Sequence, residues 1–319
     1  MKKGTKTGQH MKTASLGRLM PAMAVFLQLS ASGCGTDPAE ETARLRGDRA
    51  FARGNYEEAL AEYRLSLLRE EPGTGGIVRA AHAYAVLGRV DEARSLYEEA
   101  TLQDSLYADQ AVSDLVALAK RVQANGDSYG MASAMEAAHH FRPGVVVEGL
   151  ALPLARHYSE TGQNARARPL YLRALGTDPT DPDIVFETAL AHKEIGDCEG
   201  ALVYFDQFRA VAPRREAEAR WHVGRCSFQL SRERRERGSA VEALEYLDVV
   251  LELKEPRTDL PRAYFDKAEI LAELGECAAA LEAYRAVSSA GGTGFGALAG
   301  RALDRIDEIR FGDSGEGPC

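Results

Sequence analysis

Residues 155–179 read ARHYSETGQNARARPLYLRALGTDP, and residues 189–213 read ALAHKEIGDCEGALVYFDQFRAVAP. Laid over each other at an offset of 34, they repeat one phrase. Ala155, Tyr158, Gly162, Ala167, Tyr171 and Pro179 meet Ala189, His192, Gly196, Ala201, Phe205 and Pro213. Small residues let two helices cross closely, and rings fill the gap to the next unit. The glycine ends the first helix at positive φ. The proline breaks the chain out of the second helix. Each copy therefore describes a helix pair, A then B.

The phrase extends in both directions. Ala81, Tyr84, Gly88, Ala93, Tyr97 and Ala100 form a clear earlier copy. Gly47, Gly54, Ala59 and Tyr63 form a looser one, with Pro72 one residue late, and Ala119, Gly126, Met135, Ala138 and Pro143 form another. A sixth copy starts at Trp221 and Phe228 but reaches its glycine about six residues late, at Gly238. Its charged stretch Arg232 to Arg237 predicts a longer helix A and a self-paired, solvated surface. The seventh holds Tyr264, Ala268, Leu271, Gly275, Ala280 and Tyr284. After a glycine-rich break at Ala290 to Gly294, residues 295–311 place Leu298, Ala302, Ile306 and Ile309 on one helical face. A stacked array needs such a terminal cap.

These positions resemble the tetratricopeptide repeat (TPR) family over about residues 40–311. The resemblance implies an all-α fold, a right-handed α-α superhelical solenoid of about seven TPR helix pairs plus a C-terminal capping helix. The expected organisation is a signal peptide at 1–33, a tether at 34–41, the solenoid at 42–294, the cap at 295–311 and a tail at 312–319. In that family, helix A residues line a concave groove that takes extended peptides or helices. The corresponding positions are Arg44 and Asp48 in the first repeat, His82 in the second, and Lys120 and Gln123 in the third. They continue with Arg156 and Ser159, Phe186 and Lys193, His222 and Gln229, and Phe265 and Glu269. Cations, amides and two rings suit a protein or peptide ligand; an ordinary solvated surface is the alternative for any single residue. The asparagine with which some family members grip a chaperone's C-terminal carboxylate is missing. Its slots hold Asp48, His82, Lys120, Arg156, Leu190, Cys226 and Glu269.

The same resemblance orders the cysteines. Four lie in or after the repeats, at Cys198, Cys226, Cys277 and Cys319, and allow three pairings. In a TPR stack the start of helix B in one repeat and the late part of the next helix A share one side. That pattern implies Cys198–Cys226, and Cys277–Cys319 joins the start of the last helix B to the chain beyond the cap. Free, partly buried thiols are the alternative.

The N-terminus reads as an address. Basic residues from Lys2 to Arg18 precede an apolar run from Leu19 to Leu29, then Ser30-Ala31-Ser32-Gly33 and Cys34. The run is about half of the ~20 residues a bilayer-spanning helix needs. The order resembles a bacterial lipoprotein signal, which implies cleavage before Cys34 and a lipidated Cys34 thiol. Ala31 stands where that family prefers leucine, so cleavage after Gly33 without lipid, or an uncleaved anchor, remain open. Gly35, where retained lipoproteins carry Asp, points to an outer membrane and a periplasm-facing body. Met11 is an alternative start.

The chain has 319 residues and a formal charge of −9. The first 33 residues hold five bases and no acid; without them 34 bases face 48 acids, near −14. Such a body repels nucleic acid. His139-His140 diverge by about 100° on a helix, so no metal is expected there. Gly73-Thr74-Gly75-Gly76 lacks the Lys-Ser/Thr of a phosphate loop. No catalytic constellation and no cofactor are implied. The expectation is a non-catalytic, membrane-anchored scaffold or adaptor, with an accessory substrate-binding subunit of an envelope enzyme or a secretion or pilus assembly machine as the alternative.

Overall fold

The structure, a computed structural model, describes residues 42–69, 73–290, 295–311 and 319. Cys34, the signal segment, the tether, Pro72, most of the glycine-rich break and most of the tail lie outside the described residues. Fifteen α-helices and one short 3₁₀ turn make up the described chain, with no strand.

The helices form seven antiparallel pairs and a cap. The first pairs are α1 (Ala43–Ala52) with α2 (Tyr56–Arg69), α3 (Thr74–Val86) with α4 (Val90–Gln103), and α5 (Tyr107–Ala124) with α6 (Ser128–Phe141). Next come α7 (Ala151–Glu160) with α8 (Asn164–Thr177) and α9 (Pro182–Glu194) with α10 (Cys198–Val211). The last are α11 (Glu216–Glu236) with α12 (Ala240–Leu253) and α13 (Leu260–Glu273) with α14 (Cys277–Ala290), closed by α15 (Gly296–Phe311).

One device makes every A-to-B turn. Gly54, Gly88, Gly126, Gly162, Gly196, Gly238 and Gly275 all sit at φ between 74° and 84°. The N–H after each glycine returns to a carbonyl five residues back, as in Asp197 N–H to His192 O at 3.0 Å. That bond satisfies a carbonyl the helix end would leave unpaired. Within the pairs, Ala59, Ala93, Ala167, Ala201, Ala243 and Ala280 are fully buried where helix B crosses helix A. Tyr63, Tyr97, Tyr171, Phe205, Leu247 and Tyr284 are buried four residues further on.

Two departures shape the surface. Helix α11 runs for 21 residues, as its charged extension predicts. Most repeats join through three to six residues, but α6 and α7 are separated by residues 142–150. Val145 and Val147 of that long link pack on the core.

Candidate functional site

Much of the helix A face is bonded across repeat boundaries. Asp48 accepts from the Tyr63 hydroxyl at 2.9 Å and forms an ion pair with Arg79, whose Nε lies 3.1 Å away. His82 Nδ1 lies 2.6 Å from Asp114 Oδ2, and Asp114 also accepts from the Tyr97 hydroxyl and Gln110. Burial pushes the Asp114 carboxyl up, but the hydrogen bonds from His82, Tyr97 and Gln110 outweigh it and hold it below the usual carboxylate range. Arg156 Nε reaches both oxygens of Glu187 at 3.1 and 3.0 Å. Glu269 accepts from the Tyr284 hydroxyl and from Arg305 Nε, the latter at 3.2 Å. Asp48, His82, Arg156 and Glu269 are thus engaged in holding repeats together.

Phe265 is a correction. The sequence places it on the groove surface, but it is only 8% exposed. Its ring meets Tyr284 edge-on at 5.6 Å, and the Arg262 and Arg301 guanidinium groups lie 5.8 and 5.3 Å from its centroid. The cap helix that closes the stack brings Arg301 over it. Arg44, Lys120 and Gln123 are exposed, and Ser159 donates to Asn164 at 3.1 Å.

The remaining expected residues come together at repeats 5 and 6. Phe186 packs against Phe208 at 4.9 Å and Phe205 at 5.8 Å. The His222 ring stacks on Phe205 at 5.6 Å and 12°, and lies 5.8 Å from Phe186. Burial lowers the basicity of His222, and Lys193 lowers it further by repulsion. Its Nδ1 is buried without a hydrogen-bond partner among the described residues. Trp221 stands edge-on to His222 at 5.1 Å and is 46% exposed, with Lys193 Nζ 5.6 Å from its ring centroid.

Sequence reasoning passed over Trp221, Arg225 and Arg232 as binding residues. Their spacing of three and four, with Gln229 between, puts them on one face of α11. The signal was present in the lengthened helix, which carries its outer face past the 34-residue register. Arg225, Gln229, Arg232, Glu233 and Glu236 line a recess of about 310 Å³. Gln229 donates to Glu233 at 2.9 Å, and Arg225 donates to Asp259 at 2.9 Å. The charged stretch is less self-paired than expected. Arg234 pairs with Glu199 of α10 and Glu242 of α12, and Arg235 pairs with Glu273 of α13 at 2.5 Å. Length explains this, because the extra turns of α11 reach acids on three neighbouring helices.

The cysteines divide. Cys277 and Cys319 are joined by a disulfide with Cα atoms 5.5 Å apart. The expected Cys198–Cys226 bond is not formed, and both thiols are free and buried. The neighbouring Cys198 sulfur and burial push the Cys226 thiol up. The Cys198 S–H points to Gln229 Oε1 at 3.6 Å. Helical register sets the two sulfurs side by side, but side chains on rigid helices must also aim correctly to bond.

His139 and His140 do diverge, toward Val145 O at 3.0 Å and Glu98 at 3.2 Å. Among the described residues no cluster of three or more His, Cys, Asp or Glu could hold a metal, and no helix is long and apolar enough to cross a membrane.

Residues 152–201, covering α7, α8, α9 and the turn into α10, match the family model described as tetratricopeptide repeat. Over that stretch the chain is similar to the tetratricopeptide repeat. The chain is 28% identical over 207 residues to cellulose synthase operon protein C of Xanthomonas axonopodis pv. citri (strain 306). That match takes in 54% of this chain and 13% of the relative's length, so the chain spans a small part of that protein. Among solved structures, the TPR2AB domain of yeast Sti1 in complex with pHSP90 is similar with 15% identity and a TM-score of 0.33, over 85% of this chain and 96% of that one. The MamA protein is similar with 15% identity and a TM-score of 0.32, over 54% and 91%.

Proposed function

We propose that the chain is a lipid-anchored, periplasm-facing TPR scaffold that captures a segment of a partner protein on the α9–α11 face and catalyses nothing itself. The observation that carries the binding reading is Trp221. A large ring half open to solvent stands on helix A, flanked by Lys193 and leading to the arginine-lined recess. Trp and Arg dominate binding energy at protein interfaces. The partner segment lays an apolar side chain on Trp221 and Phe186 and turns acidic groups toward Arg225 and Arg232. The anchor rests on the order of basic, apolar and small residues before Cys34. The Cys277–Cys319 disulfide supports an oxidising compartment.

A photo-crosslinking residue at Gln229, introduced into the chain in cells, tests the capture. A discrete crosslinked protein should appear and fade severalfold in Trp221→Ala and Arg232→Glu backgrounds. Equal recovery from a site on the helix B face, such as Leu172, would sink the reading. Labelled palmitate should enter the wild-type chain and not Cys34→Ala.

A second reading is favoured by the match to cellulose synthase operon protein C. In it the captured partner is an envelope enzyme, and the chain is its accessory subunit. Identification of the crosslinked protein separates the two.

A further inference from the structure

We infer that the solenoid edge at which the chain enters α1 seats on a lipid bilayer, with Leu68, Leu102 and Leu106 dipping into its interfacial layer. This rests on the reading that Cys34 is lipidated.

Topology defines the edge. In a stack of antiparallel pairs, every helix B ends and every helix A begins on the same side. Thr42, the N-cap of α1, belongs to that side. Leu68 is the second-last residue of α2, and Leu102 is the second-last of α4. They occupy the same station in consecutive repeats. Leu106 is the N-cap of α5, in the short link that follows. Their exposures are 85%, 89% and 75%. A single exposed leucine needs no explanation. Three nearly bare ones on one edge of two adjacent repeats form a surface awaiting cover. The edge continues into the long link 142–150, where Val146 is half exposed over an apolar recess of about 710 Å³ that Leu152, Pro153 and Ile184 help to line.

The opposite edge is built differently. Each glycine turn there is followed by a polar residue: Asn55, Arg89, Asp127, Gln163, Asp197, Ser239 or Glu276. Its exposed apolar side chains, Tyr129, Val241, Leu274 and Phe311, are dispersed over repeats 3, 6 and 7 and the end of the cap.

The tether selects the occupant. Eight chain steps separate Cys34 from Thr42. Fully extended they span about 28 Å. A lipid on Cys34 therefore holds this edge of repeat 1 within that distance of the membrane, at high effective concentration. The acidic body is repelled by anionic headgroups, so the contact is apolar and suits a zwitterionic surface. Weak on its own, it orients the anchored molecule.

The experiment uses the lipidated full chain with a nitrobenzoxadiazole probe at Leu102→Cys or, as the other-edge control, at Val241→Cys. Both sites are exposed, and unsubstituted chain reports background labelling. The vesicles are phosphatidylcholine and phosphatidylethanolamine containing nitroxide-labelled phosphatidylcholine. Flotation first tests the anchor. The expected result is that the chain floats and the Leu102 probe is quenched severalfold more than the Val241 probe. A chain that does not float removes the anchor, and this inference with it. A chain that floats with both probes quenched alike, or neither, overturns the edge contact alone. Shielding of the Leu102 probe from aqueous iodide before vesicles are added also overturns it, because a second copy or another protein segment then covers the leucines.

Discussion

Asp114 shows how one side chain serves the stack. It takes hydrogen bonds from His82, Tyr97 and Gln110, which span three successive helices. Those bonds favour the charged carboxylate, so its folded pKa is depressed. A depressed carboxylate adds stability that is complete above its unfolded pKa of about 3.9 and is lost as pH falls through the folded value. Urea midpoints between pH 7 and pH 3 should therefore fall less steeply for Asp114→Asn than for wild type. At pH 7 the variant should be less stable by about 1–3 kcal/mol, the usual cost of disturbing a buried hydrogen-bonded group. Parallel pH profiles would refute this. His222 gives the opposite case among bases. Its folded pKa is lowered by burial and by Lys193, so the unfolded state binds its proton first and stability falls as pH drops below about 6.5. His222→Phe should flatten that part of the profile and keep the stack on Phe205. At this scale the sequence was only partly legible. Helical register put Cys198 near Cys226. It could not say that two thiols would remain unbonded, or that Arg301 of the cap would cover Phe265. Those outcomes depend on side-chain direction and on contacts more than thirty residues away.

Elements were far more legible than contacts. The seven turn glycines were visible because only glycine takes positive φ there without strain, and the buried alanines were visible because helices cross only over small side chains. The long α6–α7 link was not, because Pro143 sits where an ordinary repeat boundary would place it. Gly224 of α11 was also silent, since it occupies no repeat position. A Cβ built on Gly224 would lie 1.9 Å from the Glu255 carbonyl oxygen in the α12–α13 link. That link is backbone and cannot step aside as a side chain can. Gly224→Ala should therefore destabilise by about 1–3 kcal/mol, as overpacking does, despite the better helix propensity of alanine. Gly176→Ala in α8, where nothing lies within 4 Å of the new Cβ, should be neutral or slightly stabilising. Denaturation midpoints of the two variants would decide, and equal shifts would show that the α11 contact is not tight.

In a stack the whole is a chain of neighbours. Each repeat touches the next, so stability is approximately a sum of local and nearest-neighbour terms. The C-terminal end is fastened in two ways. Helix α15 buries Leu298, Ala302 and Ile306 against α13 and α14, and the Cys277–Cys319 disulfide ties the chain beyond the cap back to the start of α14. The bond closes a loop with a sequence separation of 42 residues. In the chain-entropy account such a loop is worth about 4 kcal/mol. The effect should be regional. Cys319→Ser should lower hydrogen-exchange protection in α13, α14 and α15, less so in α11 and α12, and leave α3 to α8 at wild-type values. A uniform loss across all helices would mean that the seven repeats unfold as one cooperative unit. It would also mean that α9–α11 cannot loosen around a partner without loosening everything. A graded loss would instead leave the Trp221 face free to adjust, with firm repeats on its N-terminal side and a stapled cap on the other.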